Sequence, residues 1–194
     1  SALGFYTLKA NTTGANNTAV GYHSSRDNTT GSTNASFAVN SLRNNTTGSS
    51  NTAIGEAALL SNTSASNNVA IGQVSLFDNT TGAQNTAVGK SALENNTTAS
   101  NNTAVGYKAG YSNTTGSGNT AFGFQAFQDN TTGSNNTAIG YEAHANNTTG
   151  NYNVSLGLQT LLNSTTANSN TAVGYQALYA NTTGSSLTAV GANA

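Results

Sequence analysis

The stretch Asn170-Thr-Ala-Val-Gly-Tyr-Gln-Ala-Leu-Tyr-Ala-Asn-Thr-Thr-Gly-Ser-Ser186 decides the fold, because every other part of the chain is a copy of it. Gly4, Gly21, Gly55, Gly72, Gly89, Gly106, Gly123, Gly140, Gly157, Gly174 and Gly191 fall on one 17-residue comb, whose only missing tooth is Ala38. No insertion or deletion interrupts the period. The chain is a single repeat domain, 1–194: 16 residues of one copy (1–16), ten whole copies (17–186) and eight residues of another (187–194). A fixed short period predicts a solenoid whose coils touch only their neighbours.

Charged residues are 6% of the chain and Pro, Cys, Met and Trp are absent. Disordered chains are usually charged or Pro-rich, whereas here a Val, Ile, Leu or Phe returns in every copy. A stack also disfavours charge, since side chains at one repeat position sit about 4.8 Å apart and a charged column would repel itself. The net charge of −1 gives no electrostatic case for nucleic acid or an anionic membrane. No apolar run approaches the roughly 18 residues of a membrane span, and any leader or anchor is expected outside this stretch. The lack of cysteine leaves the redox compartment unread.

Let position 1 be the Asn before Thr-Ala-Val-Gly. Position 4 is always large and apolar, from Leu3 and Val20 to Val173 and Val190, and reads as a buried column. Position 3 is always Ala or Ser and position 8 is Ala, Ser or Thr, so neither has room. Position 9, mostly Leu, reads as a second, looser apolar column, and position 6, often aromatic, as a partly wet one. Alternation over positions 2 to 6 predicts a short strand. Positions 10 to 14 read as a second extended segment, closed by a turn where Gly at position 15 suits φ > 0. Ala65, Ala99 and Ala167 occupy that turn position in three coils.

Two asparagine columns complete the coil. Position 1 is Asn17, Asn34, Asn51, Asn68, Asn85, Asn102, Asn119, Asn136, Asn153 and Asn170; position 12 is Asn11, Asn28, Asn45, Asn62, Asn79, Asn96, Asn113, Asn130, Asn147 and Asn181. Stacked amides bond up such a column, as in cross-β ladders, so both are assigned as structural ladders. About eleven coils at a ~4.8 Å rise make a rod roughly 55 Å long. The fold class is therefore all-β, a parallel β-solenoid (β-roll or β-helix) with uncapped ends. Either the chain is cut from a longer array or its subunits stack.

At Asn136-Thr-Ala-Ile-Gly140 and Asn119-Thr-Ala-Phe-Gly123 the repeat resembles those in the heads of trimeric autotransporter adhesins. It is also similar to repeat regions of bacteriophage tail fibres carrying Asn-Thr-Ala-Val-Gly-Tyr-x-Ala-Leu. The resemblance spans the whole chain on about five positions of each coil. It implies a parallel β-roll in which three chains pack together; the adhesin repeat is shorter than this one. The residues themselves leave two arrangements open. If positions 2, 4 and 6 share one face, the Val/Ile column points outward and demands a partner, each side chain being worth ~1.5–3 kcal/mol when buried. Otherwise positions 4 and 9 face each other inside one chain.

Catalytic groups do not converge. His23 and His144 lie seven coils apart, about 34 Å. His23-Ser24-Ser25-Arg26-Asp27 holds the residue types of a hydrolytic triad, but adjacency in sequence is not triad geometry. Asp78 and Glu94, on neighbouring coils, read as a solvated pair rather than a glycosidase dyad. No metal spacing or phosphate loop exists, so no catalytic residue, cofactor or metal is assigned. Lys9, Arg26 and Arg43 form a basic stripe at position 10 that reads as solvated side chains, with an acidic glycan or a neighbouring subunit as the functional alternative. Sequons mark Asn16, Asn44, Asn101 and Asn135 as glycosylation candidates, with Thr12, Thr29, Thr46, Thr114, Thr131, Thr148 and Thr182 for direct decoration. The expected function is a non-catalytic structural or adhesive fibre subunit, extracellular or on a cell or virion surface. Its partners are copies of itself, with surface glycans as a further class. The rivals are a repetitive face for ice or glycan and a polysaccharide-degrading tailspike-like solenoid.

Overall fold

The computed structural model describes residues 1–194. Twelve strands follow the repeat, from β1 (Ala2–Leu3) and β2 (Thr18–Val20) to β12 (Thr188–Val190), and form one parallel sheet in sequence order. Register is in step throughout: Val20 pairs with Phe37, Phe37 with Ile54 and Ile54 with Ile71. The chain is thus a β-solenoid of about eleven turns with no helix.

Each full strand is only three residues long because position 5 ends it. Its glycines sit at φ between +125° and +139°, and a Cβ on Gly21 would lie 2.6 Å from the Ala38 carbonyl oxygen of the next coil. That backbone region is essentially closed to side chains, yet Ala38 occupies it at φ +121°. Positions 7, 9 and 17 are also left-handed, near +50° to +60°, and are filled by non-glycine residues such as His23, Leu42 and Asn16.

The coil departs from the sequence expectation at two places. Positions 10 to 14 form turns and irregular backbone, with no second strand. The glycines of position 15 have no positive φ; position 17 makes that turn instead. Position 15 has room for no more than a methyl group: a Cβ built on its glycines meets the carbonyl of the next coil and the Asn side chain of its own, and Ala65, Ala99 and Ala167 are buried there. The coils are still bonded all round: of 125 backbone hydrogen bonds only 21 lie within strands, and the turns supply coil-to-coil bonds such as Leu8 N–H to Ser24 O and Asp27 N–H to Arg43 O.

The core is thin. Position 3 (Ala53, Ala70, Ala87) faces positions 8 and 9 (Ala58, Leu59, Leu76), and all are buried. Position 9 is therefore the spine of the interior. Position 4 is on the opposite face of the strand and points outward: Ile54 is 40% exposed and Phe122 53%. The reading of position 4 as buried fails for the single chain, because period-two alternation commits positions 3 and 4 to opposite faces and the coil is filled from the alanine side.

Candidate functional site

The two asparagine columns are both buried, and they work differently. At position 12 each amide donates to the amide oxygen of the preceding coil and to the carbonyl of its own position 15. Asn45 Nδ2 lies 2.7 Å from Asn28 Oδ1 and 2.9 Å from Gly48 O. This ladder runs unbroken from Asn11 through Asn79, Asn113 and Asn130 to Asn147. Ser164 interrupts it, with a buried hydroxyl that has no partner. Asn181 beyond it bonds only within its own coil. At position 1 the amide oxygen accepts the backbone N–H of the next asparagine, as from Asn68 to Asn51 at 3.0 Å. The amide nitrogen bridges the coil to position 15, as from Asn68 to Gly82 O at 3.0 Å.

A third column escaped the sequence reading. Ser32 N–H donates to Ser49 Oγ, Ser117 N–H to Ser134 Oγ, and Asn151 N–H to Asn168 Oδ1, so position 16 carries a side-chain-to-backbone ladder. The signal is the recurrence of Ser or Asn at this position in every coil but those of Ala15 and Ala83. The position-13 threonines also serve the stack: Thr12, Thr29, Thr46, Thr114, Thr131 and Thr148 donate their hydroxyls to the position-13 carbonyl of the following coil at about 2.9–3.0 Å. Thr182 is exposed. The threonines of position 14, such as Thr30, Thr47 and Thr132, are exposed, as are Thr12 and Thr63 of position 13. Asn16, Asn101 and Asn135 are exposed at the left-handed position 17, and Asn44 is half-buried.

The outer sheet face joins position 4 to position 6. Tyr107, Phe124 and Tyr141 stack at 5.3 and 5.1 Å, and Phe5 stacks on Tyr22 at 5.9 Å. Exposed apolar side chains therefore run along the sheet from Leu3 to Val190, with Glu56, Gln73 and Lys90 as a polar interval on position 6.

The residues of the triad-like segment do not form a triad. Ser24 and Ser25 are buried and bond to Ser36 at 2.6 and 2.8 Å, making a polar island in the core. Arg26 grips Asp27 through two contacts of 2.7 and 2.6 Å, which hold the Asp27 carboxyl below the usual range. His23 stacks on Tyr22 and Tyr6, and its pKa is lowered by burial and then by the charge of Arg26 and Arg43. Burial and the nearby Glu94 raise the Asp78 carboxyl above its ordinary value. His144 is buried in the position-9 spine against Phe127, with neither ring nitrogen partnered, and burial pushes its pKa down to about 3. No group of three or more His, Cys, Asp or Glu residues is placed to hold a metal ion. No family model, curated protein or solved structure was found to match the chain.

Proposed function

We propose that the chain is a structural and adhesive fibre subunit that associates laterally with copies of itself through the outer sheet face, outside the cell or on a virion surface. The observation that carries this reading is the continuous apolar column of position 4. Twelve strands about 4.8 Å apart and about 13 Å of extended chain make a face on the order of 700 Å². That is close to the ~800 Å² per partner of a standard stable interface. A second copy suits the face because the column repeats with the same period on both molecules, so one register aligns all contacts at once. The resemblance of the Asn-Thr-Ala-Val-Gly repeats to adhesin heads and tail fibres supports the same role.

Sedimentation equilibrium of purified protein tests it. The expected mass is a multiple of one chain. The triple variant Ile54→Lys, Val88→Lys, Phe122→Lys should sediment as one chain with an unchanged circular dichroism spectrum. A single-chain mass for the unsubstituted protein at tens of micromolar sinks the proposal.

A further inference from the structure

One part of the surface combines aromatic faces, positive charge and unused hydrogen-bonding atoms. Positions 7 and 10 lie three residues apart in the same turn, and their columns meet side by side over the first three coils. Position 7 supplies Tyr6, His23 and Asn40; position 10 supplies Lys9, Arg26 and Arg43. Tyr6 and His23 stack at 5.5 Å, and Lys9 Nζ sits 4.2 Å from the Tyr6 ring centre. Between the first two coils the turn opens into a cleft of about 460 Å³ lined by Tyr6, Lys9, Ala10, His23, Arg26 and Asp27.

The charge there is unbalanced. Asp27 is the only carboxylate before Glu56, and it is held by Arg26, so Lys9 and Arg43 have no acidic partner. Three of the molecule's six shielded, partnerless side-chain atoms also gather at this place: His23 Nε2, Asn40 Oδ1 and Arg43 Nε. Outside this place only His144 and Ser164 leave a buried polar side chain unpartnered, each alone in its coil, whereas here three such residues stand on consecutive coils.

We propose that this cleft, continued over Asn40 and Arg43, binds a linear anionic polysaccharide laid along the rod axis. Sugar rings would pack on the Tyr6–His23 stack, and carboxylate or sulfate groups would meet the cations. The coil spacing of about 4.8 Å is comparable to the length of one pyranose residue, so successive sugars meet Lys9, the Arg26–Asp27 pair and Arg43 in turn. Aromatic faces suit sugar C–H faces, and Arg and Lys suit oxyanions through charge-assisted hydrogen bonds. Three cations on a chain of net charge −1 are too short a track for a nucleic acid duplex. The inference deepens the adhesive part of the proposed function and is separable from it, since self-association is read by mass and saccharide binding by heat.

The test is isothermal titration of the whole chain with four probes: a galacturonate hexamer, a sulfated chondroitin hexasaccharide, neutral maltohexaose and single-stranded hexathymidylate. One or both anionic saccharides should bind, more weakly as salt rises, and the pair distinguishes carboxylate from sulfate as the group recognised. The double variant Arg26→Gln, Arg43→Gln should lose roughly tenfold or more in affinity. Gln128 holds the same position in another coil, so the variant should melt like the parent. Tyr6→Ser introduces the residue that Ser91 already supplies at that position, and it should also weaken binding, as a bare charge cluster would not require. The proposal is overturned if neither anionic saccharide binds, if hexathymidylate binds as tightly, or if the arginine variant binds unchanged.

Discussion

Ala38 and His144 are two residues that oppose the fold they sit in. Ala38 holds a φ of +121° that its glycine counterparts adopt freely, while its N–H still bonds to Val20 O at 2.9 Å. Strain of this kind costs about 1–3 kcal/mol, and glycine loses some of the benefit to chain entropy. Ala38→Gly is therefore expected to stabilise the rod by about 1 kcal/mol in thermal unfolding; a lower melting temperature would refute the strain argument. His144 replaces the usual leucine and leaves two ring nitrogens unpaired in the core. Its pKa is about 3 folded against an ordinary 6.5, so the unfolded state takes up the proton first. The neutral ring leaves stability untouched above pH 6.5, and stability falls as pH drops from there toward 3. The slope is on the order of 1.4 kcal/mol per pH unit. His144→Leu should remove that slope and add about 1–3 kcal/mol at neutral pH. Parallel stability curves for the two proteins between about pH 6.5 and 4 would count against it.

At the scale of one coil, side-chain ladders complement a strand too short to specify register alone. The position-12 ladder satisfies a buried amide in each coil, and its gap at Ser164 leaves one hydroxyl orphaned. Ser164→Asn would let the new amide donate to Asn147 Oδ1 and to the Ala167 carbonyl. Asn62 already does the same beside Ala65, at 2.8 Å to Asn45 Oδ1 and 3.1 Å to the Ala65 carbonyl. The expected gain is about 1 kcal/mol, with slower amide exchange in the coils around Ala167. Unchanged or faster exchange would show that the ladder does not carry stability there. The asparagine columns were legible in the sequence because buried amides recur at fixed spacing. The serine column at position 16 follows the same rule less plainly, since Ala15 and Ala83 interrupt it and serine is common.

Across the whole molecule the interior is one narrow spine. It runs from Leu42 to Phe127, breaks at His144 and resumes at Leu161, with the Ser24, Ser25, Ser36 and Ser41 island before it. So slender a core leaves nothing with which to cover the sheet's second face. In the triple variant Ile54→Lys, Val88→Lys, Phe122→Lys each lysine places a charge where a packed side chain would be worth ~1.5–3 kcal/mol. The three sites are two coils apart, about 10 Å, so that mutual repulsion is screened and the monomer stays folded.

The repeat alone was enough to specify the solenoid, its coil number, the parallel in-register sheet and the asparagine ladders. A period without insertions admits one stacking, and each column then meets only itself. Which apolar column is inside could not be read that way. Position 4 is the more uniformly apolar of the two, position 9 admitting Ser25, Gly110 and His144, yet the left-handed backbone at positions 5, 7 and 9 turns Leu59 inward and leaves Ile54 out. The cleft at Tyr6 and Arg26 was legible only as the basic stripe of Lys9, Arg26 and Arg43; that Tyr6 and His23 stand beside it depends on turn geometry, which brings the two columns together.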